Sequence, residues 1–513
     1  MLFRTARNLV RLFGIGRTIA RYNALPETLP QVAPGFALFW RWVGNQKEPG
    51  RVGQRLARAL AKLGPTYIKL GQLLSTRSDL VGERMALDLA ELQDKLPPFP
   101  GAQARAIVEE ELGAPISELF LSFDEVPVAA ASIAQVHFAV TADGREVAVK
   151  VLRPGIEAAF ERDIDLFYWL AELAVVVMPK LKRLRPREVV DTFARTSRLE
   201  MELRMEAAAA SELAANFRDD PTFNVPAVDW DRTARRVLTL ERIRGLKVDE
   251  AERIDALGFN RDEILAKASA SFFNQVFRDG FFHADLHPGN LFVDQNGNIA
   301  AVDFGIMGRL DRATRTYLAD MLIGFLTGDY RRVALVHFEA GYVPRHQSIE
   351  IFTQACRAIG EPLQNKPLSE ISVGRLLAQL FAVTEQFEME TQPQLLLLQK
   401  SMLTAEGVGR ILNPRINMWE LARPLIEDWM RENRGPEAQL LDDLEATVTT
   451  VRRLPHLVRE VERASTQIAE AGLRLHPQTV RFMTDRWMER RLPERVALWL
   501  IVALLAVIAV GQL

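Results

Sequence analysis

Apolar residues recur every three to four positions from Val52 to Leu96, and Pro97-Pro98-Phe99-Pro100 ends the run. That period predicts helix, and the proline cluster its stop. From Val126 the pattern changes to β-branched runs, Val136 to Val140 and Val147 to Val151, separated by Thr141-Ala142-Asp143-Gly144. Asp-Gly between two such runs predicts a β-hairpin. The helical period returns from Ile156 to about Asn216, interrupted near Pro179 and Pro186, and Val237-Leu238-Thr239-Leu240 predicts a further strand ending at Glu241. From Arg261 onward the chain reads as mostly helical, apart from short strands over Asn290 to Val293 and Ile299 to Val302 around an Asn296-Gly297 turn. The predicted class is α+β, with a small strand-containing lobe preceding a larger helical one.

Composition changes this picture mainly at the two ends. With 513 residues, 48% hydrophobic and 25% charged, the chain is that of a folded protein larger than one ordinary domain. A formal charge of −2 gives no general attraction for nucleic acid, which is not expected as a partner. The single cysteine, Cys356, excludes an internal disulfide framework and a cysteine metal cluster, and of seven scattered histidines only His283 and His287 lie close together. From Met1 to Asn23 there are five arginines and no acid, interleaved with Leu2, Phe3, Leu9, Val10, Leu12 and Phe13. This predicts a basic interfacial helix; a mitochondrial targeting peptide or a solvated amphipathic helix has the same composition. Beyond about Arg434 the chain is charged and amphipathic, and Val496 to Leu513 carries no charge after Arg490, Arg491 and Arg495. At ~1.5 Å per residue that tail spans roughly 27 Å, close to the ~30 Å of a bilayer core. It reads as a transmembrane tail anchor with the bulk of the protein on the cytoplasmic side, the alternatives being a buried helix or an oligomer contact.

The most specific chemistry lies in His283-Ala284-Asp285-Leu286-His287-Pro288-Gly289-Asn290, followed by Asp303-Phe304-Gly305. Asp285 precedes Asn290 by five positions, and Asn290 precedes Asp303 by thirteen, the spacings of protein kinases. A carboxylate at the mouth of such a site orients the acceptor, while an amide oxygen and a second carboxylate hold magnesium against the phosphates. Val147-Ala148-Val149-Lys150-Val151 supplies the strand-borne cation, and Glu206 is the best candidate for its carboxylate partner. Where a glycine-rich phosphate loop is expected, the chain has Ala129-Ala130-Ala131-Ser132-Ile133-Ala134-Gln135-Val136. Alanine restricts the close approach and backbone freedom that glycine permits, so nucleotide is expected to sit differently.

These residues resemble the UbiB or ADCK-type atypical kinases, a protein-kinase-like group associated with ubiquinone biosynthesis. The marks are Lys69-Leu70-Gly71-Gln72, the alanine-rich run, Lys150, Glu200 to Ala207, His283 to Asn290 and Asp303-Phe304-Gly305, spanning roughly Leu60 to Arg410. The resemblance implies an atypical protein-kinase-like bilobal fold with an N-terminal helical extension and a C-terminal transmembrane helix. The corresponding division is 1–120 for the basic segment and extension, 121–245 for the small lobe, 246–434 for the helical lobe, 435–495 for a charged juxtamembrane region and 496–513 for the anchor.

It implies that ATP and Mg2+ are the cofactors. Lys150 would contact the α- and β-phosphates, Glu206 would hold Lys150, Asn290 and Asp303 would bind magnesium, and Asp285 would be the catalytic acid–base residue. Glu241 would lie in the adenine hinge, and the extension would bring Lys69 and Gln72 to where a kinase docks a peptide. A covered groove points to a small or lipid-like acceptor, or to ATP hydrolysis without a protein substrate. Membrane lipid, prenylated quinone intermediates, other ubiquinone-biosynthesis enzymes and a homodimer are the implied partners. The implied location is the inner (cytoplasmic) membrane, or the mitochondrial inner membrane in a eukaryote. The chain departs from the family in having Glu200-Met201-Glu202 where Glu-x-Asp is usual, and one apolar tail span where two are common. A nucleotide-dependent pseudokinase scaffold and a true protein kinase are the competing functions; a flavin or metal hydroxylase finds neither a dinucleotide fingerprint nor a ligand cluster.

Overall fold

The strand pattern of the small lobe places one lysine on the site face. In the computed structural model, which describes residues 2–24, 48–75, 81–90, 92, 96–177, 186–364, 383, 386–389, 392–414 and 418–434, this lobe holds β1 (Phe120–Phe123), β2 (Ala129–Ala130), β3 (Ala134–Thr141) and β4 (Glu146–Leu152). After three helices and the short β5 (Phe223–Asn224), β6 (Val237–Glu241) completes an antiparallel sheet of order β1-β3-β4-β6, with β2 also pairing β3. On β4, Val147, Val149 and Val151 are buried with Ala104, Ile107 and Val108 of the helix Gly101–Leu112. Strand alternation therefore turns Lys150 to the opposite face. That core also includes Phe99 and Phe120, so it runs across position 120, where the sequence reading divides extension from lobe.

The predicted hairpin forms between β3 and β4, in register from Ala134↔Leu152 to Val140↔Glu146. Its strand begins two residues earlier than the β-branched pattern indicates. Ala129–Ala130 pairs back onto Val136 and Gln135, and the Ala131 N–H donates to the Ala134 carbonyl at 2.8 Å, so the alanine-rich run is a tight hairpin rather than an open loop.

The helical lobe follows from β7 (Gly245–Lys247). Its helix Arg261–Phe273 continues into a π-helical turn, Asn274–Asp279, that delivers β8 (Phe281–His283). Then come β9 (Leu291–Asp294), β10 (Ile299–Ala301) and β11 (Met307–Arg309). A second sheet has the order β5-β10-β9-β7, and β8 pairs β11 antiparallel, with Met307 opposite His283. One continuous core joins the extension through Leu60, Ile68 and Leu89 to Phe160, Leu203 and Ala207, and to Phe272, Phe282 and Phe304.

The basic first helix, Leu2–Arg21, spends part of its charge within the chain: Arg7 pairs with Asp165 at 3.0 Å, and Arg11 with Asp163, both on the helix Ile156–Val177. By internal contacts Met1–Met430 is one unit, and the other is Arg431–Leu513. Among the described residues no helix is long and apolar enough to cross a membrane. The predicted charged region 435–495 and tail anchor 496–513 lie outside the described residues.

Candidate active site

A break between two helices separates the two acidic partners. The helix Pro186–Glu200 ends on Glu200, and the helix Leu203–Asn216 carries Glu206 in its first turn. Leu203, Ala207, Ala210 and Leu213 bury one face of the second helix and take Glu206 inward with them. There both Glu206 oxygens accept from the Lys150 ammonium, at 2.8 and 2.9 Å, and Lys150 also donates to Asp303 Oδ1 at 2.8 Å. Glu200 meets a different cation: its Oε2 lies 2.9 Å from Lys69 Nζ, with both side chains largely covered. Lys69 sits on the extension helix Pro65–Ser75, whose Gly71 faces Leu60 and Leu92 so closely that a β-carbon would lie 2.8 Å from each. Gln72 is half-buried one turn further along, its carbonyl accepting from the Ser75 hydroxyl at 2.7 Å.

Glu202, the second acid of the Glu-x-Glu run, meets a different cation, Arg204. The Arg204 guanidinium grips its carboxylate at 2.6 and 2.9 Å, and that bond holds its carboxyl below the usual glutamate range.

The electrostatics follow from two carboxylates sharing one ammonium. Burial pushes Glu206 up to about 7; Lys150 pulls the other way, but the nearby Asp303 charge pushes up again. Lys150 pulls Asp303 well below the usual aspartate range against burial, with Lys69 assisting. The influence of Lys69 on Asp303 brings the extension to the same site. Burial opposes the charge on Lys150, yet Asp303 and Glu206 outweigh it and hold its ammonium above the ordinary lysine range.

The Asp285 loop is built on a buried histidine. His283 Nδ1 accepts from the Asp285 N–H at 3.1 Å, and its other ring nitrogen lies 3.1 Å from the Val302 carbonyl. This assigns a neutral ring with its proton on Nε2, consistent with burial lowering its pKa. The Gln275 amide oxygen, on the π-helical turn, accepts from the His283 N–H at 2.9 Å. Phe304 packs beneath the imidazole, with ring centroids 5.6 Å apart. Asn290 donates Nδ2 to the Asp285 carbonyl at 3.1 Å, and its own carbonyl accepts from Val302 N–H at 3.0 Å, which sets it beside the Asp303 turn. Asp303 itself has φ +64°, a left-handed conformation uncommon for a non-glycine residue.

The Asp285 carboxylate meets a residue that the sequence reading missed. Lys400, on the helix Pro393–Leu412, donates to Oδ1 at 3.1 Å. The available signal was a lone lysine two positions after the apolar run Leu395 to Leu398, in a chain with no lysine or arginine between Asp285 and Asn290.

The structure brings Lys69, Lys150, Glu206, Asp303, Asp285 and Asn290 to one region, while the alanine-rich run and Glu241 lie on the small-lobe strands. The Gln135 amide is tied to the Phe99 backbone on both sides, at 3.0 and 3.2 Å. Ser132, Ile133 and Ala134 are buried, Ala129 is exposed, and Ala130, Ala131 and Val136 are half-buried. Glu241, at the end of β6, is exposed, with its backbone N–H on the Ala227 carbonyl at 2.8 Å.

Asn290 and Asp303 offer an amide and a carboxylate oxygen, hard donors that suit magnesium completed by phosphate and water. Among the described residues no group of three or more His, Cys, Asp or Glu side chains is placed to hold a metal ion. Two protein oxygen donors leave the rest of a magnesium shell to phosphate and water.

Residues 91–337 match the family model for the ABC1 atypical kinase-like domain, and residues 356–417 that for the UbiB helical domain. A "Probable protein kinase UbiB" of Marinobacter nauticus is 42% identical over 472 residues, covering 90% of this chain and 86% of the relative. Its namesake in Pseudomonas paraeruginosa is 43% identical over 467 residues, covering 89% and 87%. A solved complex of a Mycobacterium tuberculosis protein with erythromycin is 28% identical, with TM-score 0.48, covering 71% of this chain and 92% of that one.

Proposed function

The chain belongs to the UbiB family of ABC1 atypical kinase-like proteins, and from that premise we propose that it consumes ATP with magnesium to support ubiquinone biosynthesis at a membrane. Its acceptor is a small or lipid-like molecule, or water, rather than a polypeptide. The observation that carries this reading is the Lys150, Glu206 and Asp303 ion-pair set beside Asp285 and Asn290, with Lys69 drawn in from the extension.

Each group then has a task. Lys150 neutralises α- and β-phosphate charge, and Glu206 holds its ammonium in place. Asn290 and Asp303 would hold magnesium, which when bound supplies charge neutralisation on the phosphates. Asp285 takes the acceptor proton, and His283 fixes the loop that carries it. Lys69, held by Glu200, would stand in the approach of a peptide, which favours the small acceptor. The uncharged tail 496–513, preceded by three arginines, supports an anchor in the inner (cytoplasmic) membrane with the kinase-like part facing the cytoplasm. The names of the relatives favour a protein acceptor as the second reading.

The full chain with Asp303→Asn is expected to lose Mg-ATP turnover by at least ~100-fold. Wild-type turnover in that variant would refute the ATP-consuming reading. Unchanged ubiquinone in a strain lacking the chain would refute the pathway. Release of a chain ending before Val496 by alkaline washing, with the full chain retained in the membrane, is expected from the anchor.

A further inference from the structure

The Asp285 loop carries no lysine or arginine of its own. Between Asp285 and Asn290 the sequence is Leu286-His287-Pro288-Gly289. His287 does not fill the place: its Nδ1 accepts from the Gly289 N–H at 3.0 Å, and its Nε2 stands 4.0 Å from Asp285 Oδ2. Lys150 is engaged by Glu206 and Asp303, and Lys69 by Glu200. The ammonium that does reach Asp285 is that of Lys400, 3.1 Å from Oδ1.

The base of Lys400 is fixed while its tip remains accessible. Its neighbour Ser401 is fully buried and donates its hydroxyl to the Leu397 carbonyl at 2.8 Å, and Leu398, Val408 and Leu412 are buried along the same helix. Ala405 and Val408 share a small apolar cavity of about 20 Å³ with Leu286, the residue after Asp285. Helix and loop thus have a common wall. The Lys400 side chain itself is 44% exposed, a flexible arm on a rigid mount.

We propose that Lys400 is a catalytic residue that pairs with Asp285 in the nucleotide-free chain and turns to the γ-phosphate oxygens when ATP binds. The proposal rests on the ATP-consuming reading given above. The acceptor oxygen forms its bond to the γ-phosphorus as the bond from that phosphorus to the β,γ-bridging oxygen breaks. The electron pair leaves with ADP, and the acceptor proton passes to the Asp285 carboxylate. Lys400 offsets charge on the transferring group, and its departure from Asp285 leaves that carboxylate ready for the proton. The helix Pro393–Leu412, inside the region matching the UbiB helical domain, thereby completes a site otherwise drawn from the kinase-like domain and the extension.

The test uses the full-length chain in detergent, with Mg-ATP and water as acceptor, and compares Lys400→Met, Lys400→Arg and Asp303→Asn. Methionine keeps the stem and removes the charge, so kcat is expected to fall about 100-fold. ADP affinity should stay within about twofold, while a non-hydrolysable ATP analogue weakens about tenfold, because only the latter carries a γ-phosphate. Arginine should recover most of the rate. Wild-type kcat in Lys400→Met, or equal weakening of ADP and analogue, overturns the role of Lys400. If Asp303→Asn is inactive in the same series, the broader reading survives that failure; if it turns over at the wild-type rate, the broader reading falls first.

Discussion

Replacing Glu206 with glutamine should stabilise the folded chain at neutral and alkaline pH while damaging its function. Burial and the Asp303 charge lift Glu206 from its ordinary value of 4.5 to about 7 in the folded protein. Between those values the folded chain holds a proton that the unfolded chain has released, so wild-type stability falls as pH rises through this window. At 1.36 kcal/mol per unit the total is about 3 kcal/mol, complete slightly above pH 7. Lys150 and Asp303 are displaced away from this interval in opposite directions, so neither contributes to the difference. Glutamine mimics the protonated acid and has no such slope. The assay is urea unfolding of wild type and Glu206→Gln at pH 5, 6, 7 and 8.5. The variant should gain on wild type by about 3 kcal/mol from the lowest pH to the highest, while losing the carboxylate that positions Lys150 and with it most Mg-ATP turnover. A variant that loses ground as pH rises would refute the reasoning, because Glu206 would then be an ordinary ionised partner with a lowered pKa.

Two further substitutions probe the surroundings. Glu200→Ala breaks the covered 2.9 Å pair with Lys69 and should cost about 2–3 kcal/mol by thermal unfolding, whereas Glu202→Ala removes only the local Arg204 contact and should cost under about 1 kcal/mol. Equal losses would mean that Glu202 also serves the extension. His283→Ala leaves the part-buried Asp285 N–H and Val302 carbonyl without their partner; a loss of about 1–3 kcal/mol in chemical denaturation is expected, and a loss within experimental error would remove its supporting role.

How much of this was legible in the sequence varied with the range of the interaction involved. The Asp143-Gly144 turn was readable because its determinants are local, and Gly144 adopts φ +85° there. Pro186 read as an interruption, but it opens the helix Pro186–Glu200, where a missing N–H costs nothing. The alanine-rich run lacks a β-branched pattern and read as a loop. Its hairpin form accompanies contacts from Gln135 to Phe99 and from Arg153 to Ala131 and Pro97, which no linear pattern records. Lys150 was legible as a lone charge among apolar strand neighbours, and Glu206 as the helix carboxylate that such a lysine needs. Lys400 was not, because its meaning depends on a helix packing beside a loop 115 residues away.

The ties between Phe99 and Gln135, and between Pro97 and Arg153, bear on modularity. They fasten the alanine-rich turn to the segment preceding the helix Gly101–Leu112, like a drawer runner screwed to its cabinet. A fragment trimmed at Leu121 would lose Phe99, Ile107 and Val108 from beneath the sheet together with the brace for its turn. Domain transplantation should therefore take its cut before Pro97, since the kinase-like small lobe cannot be inherited intact without that piece of its own leader.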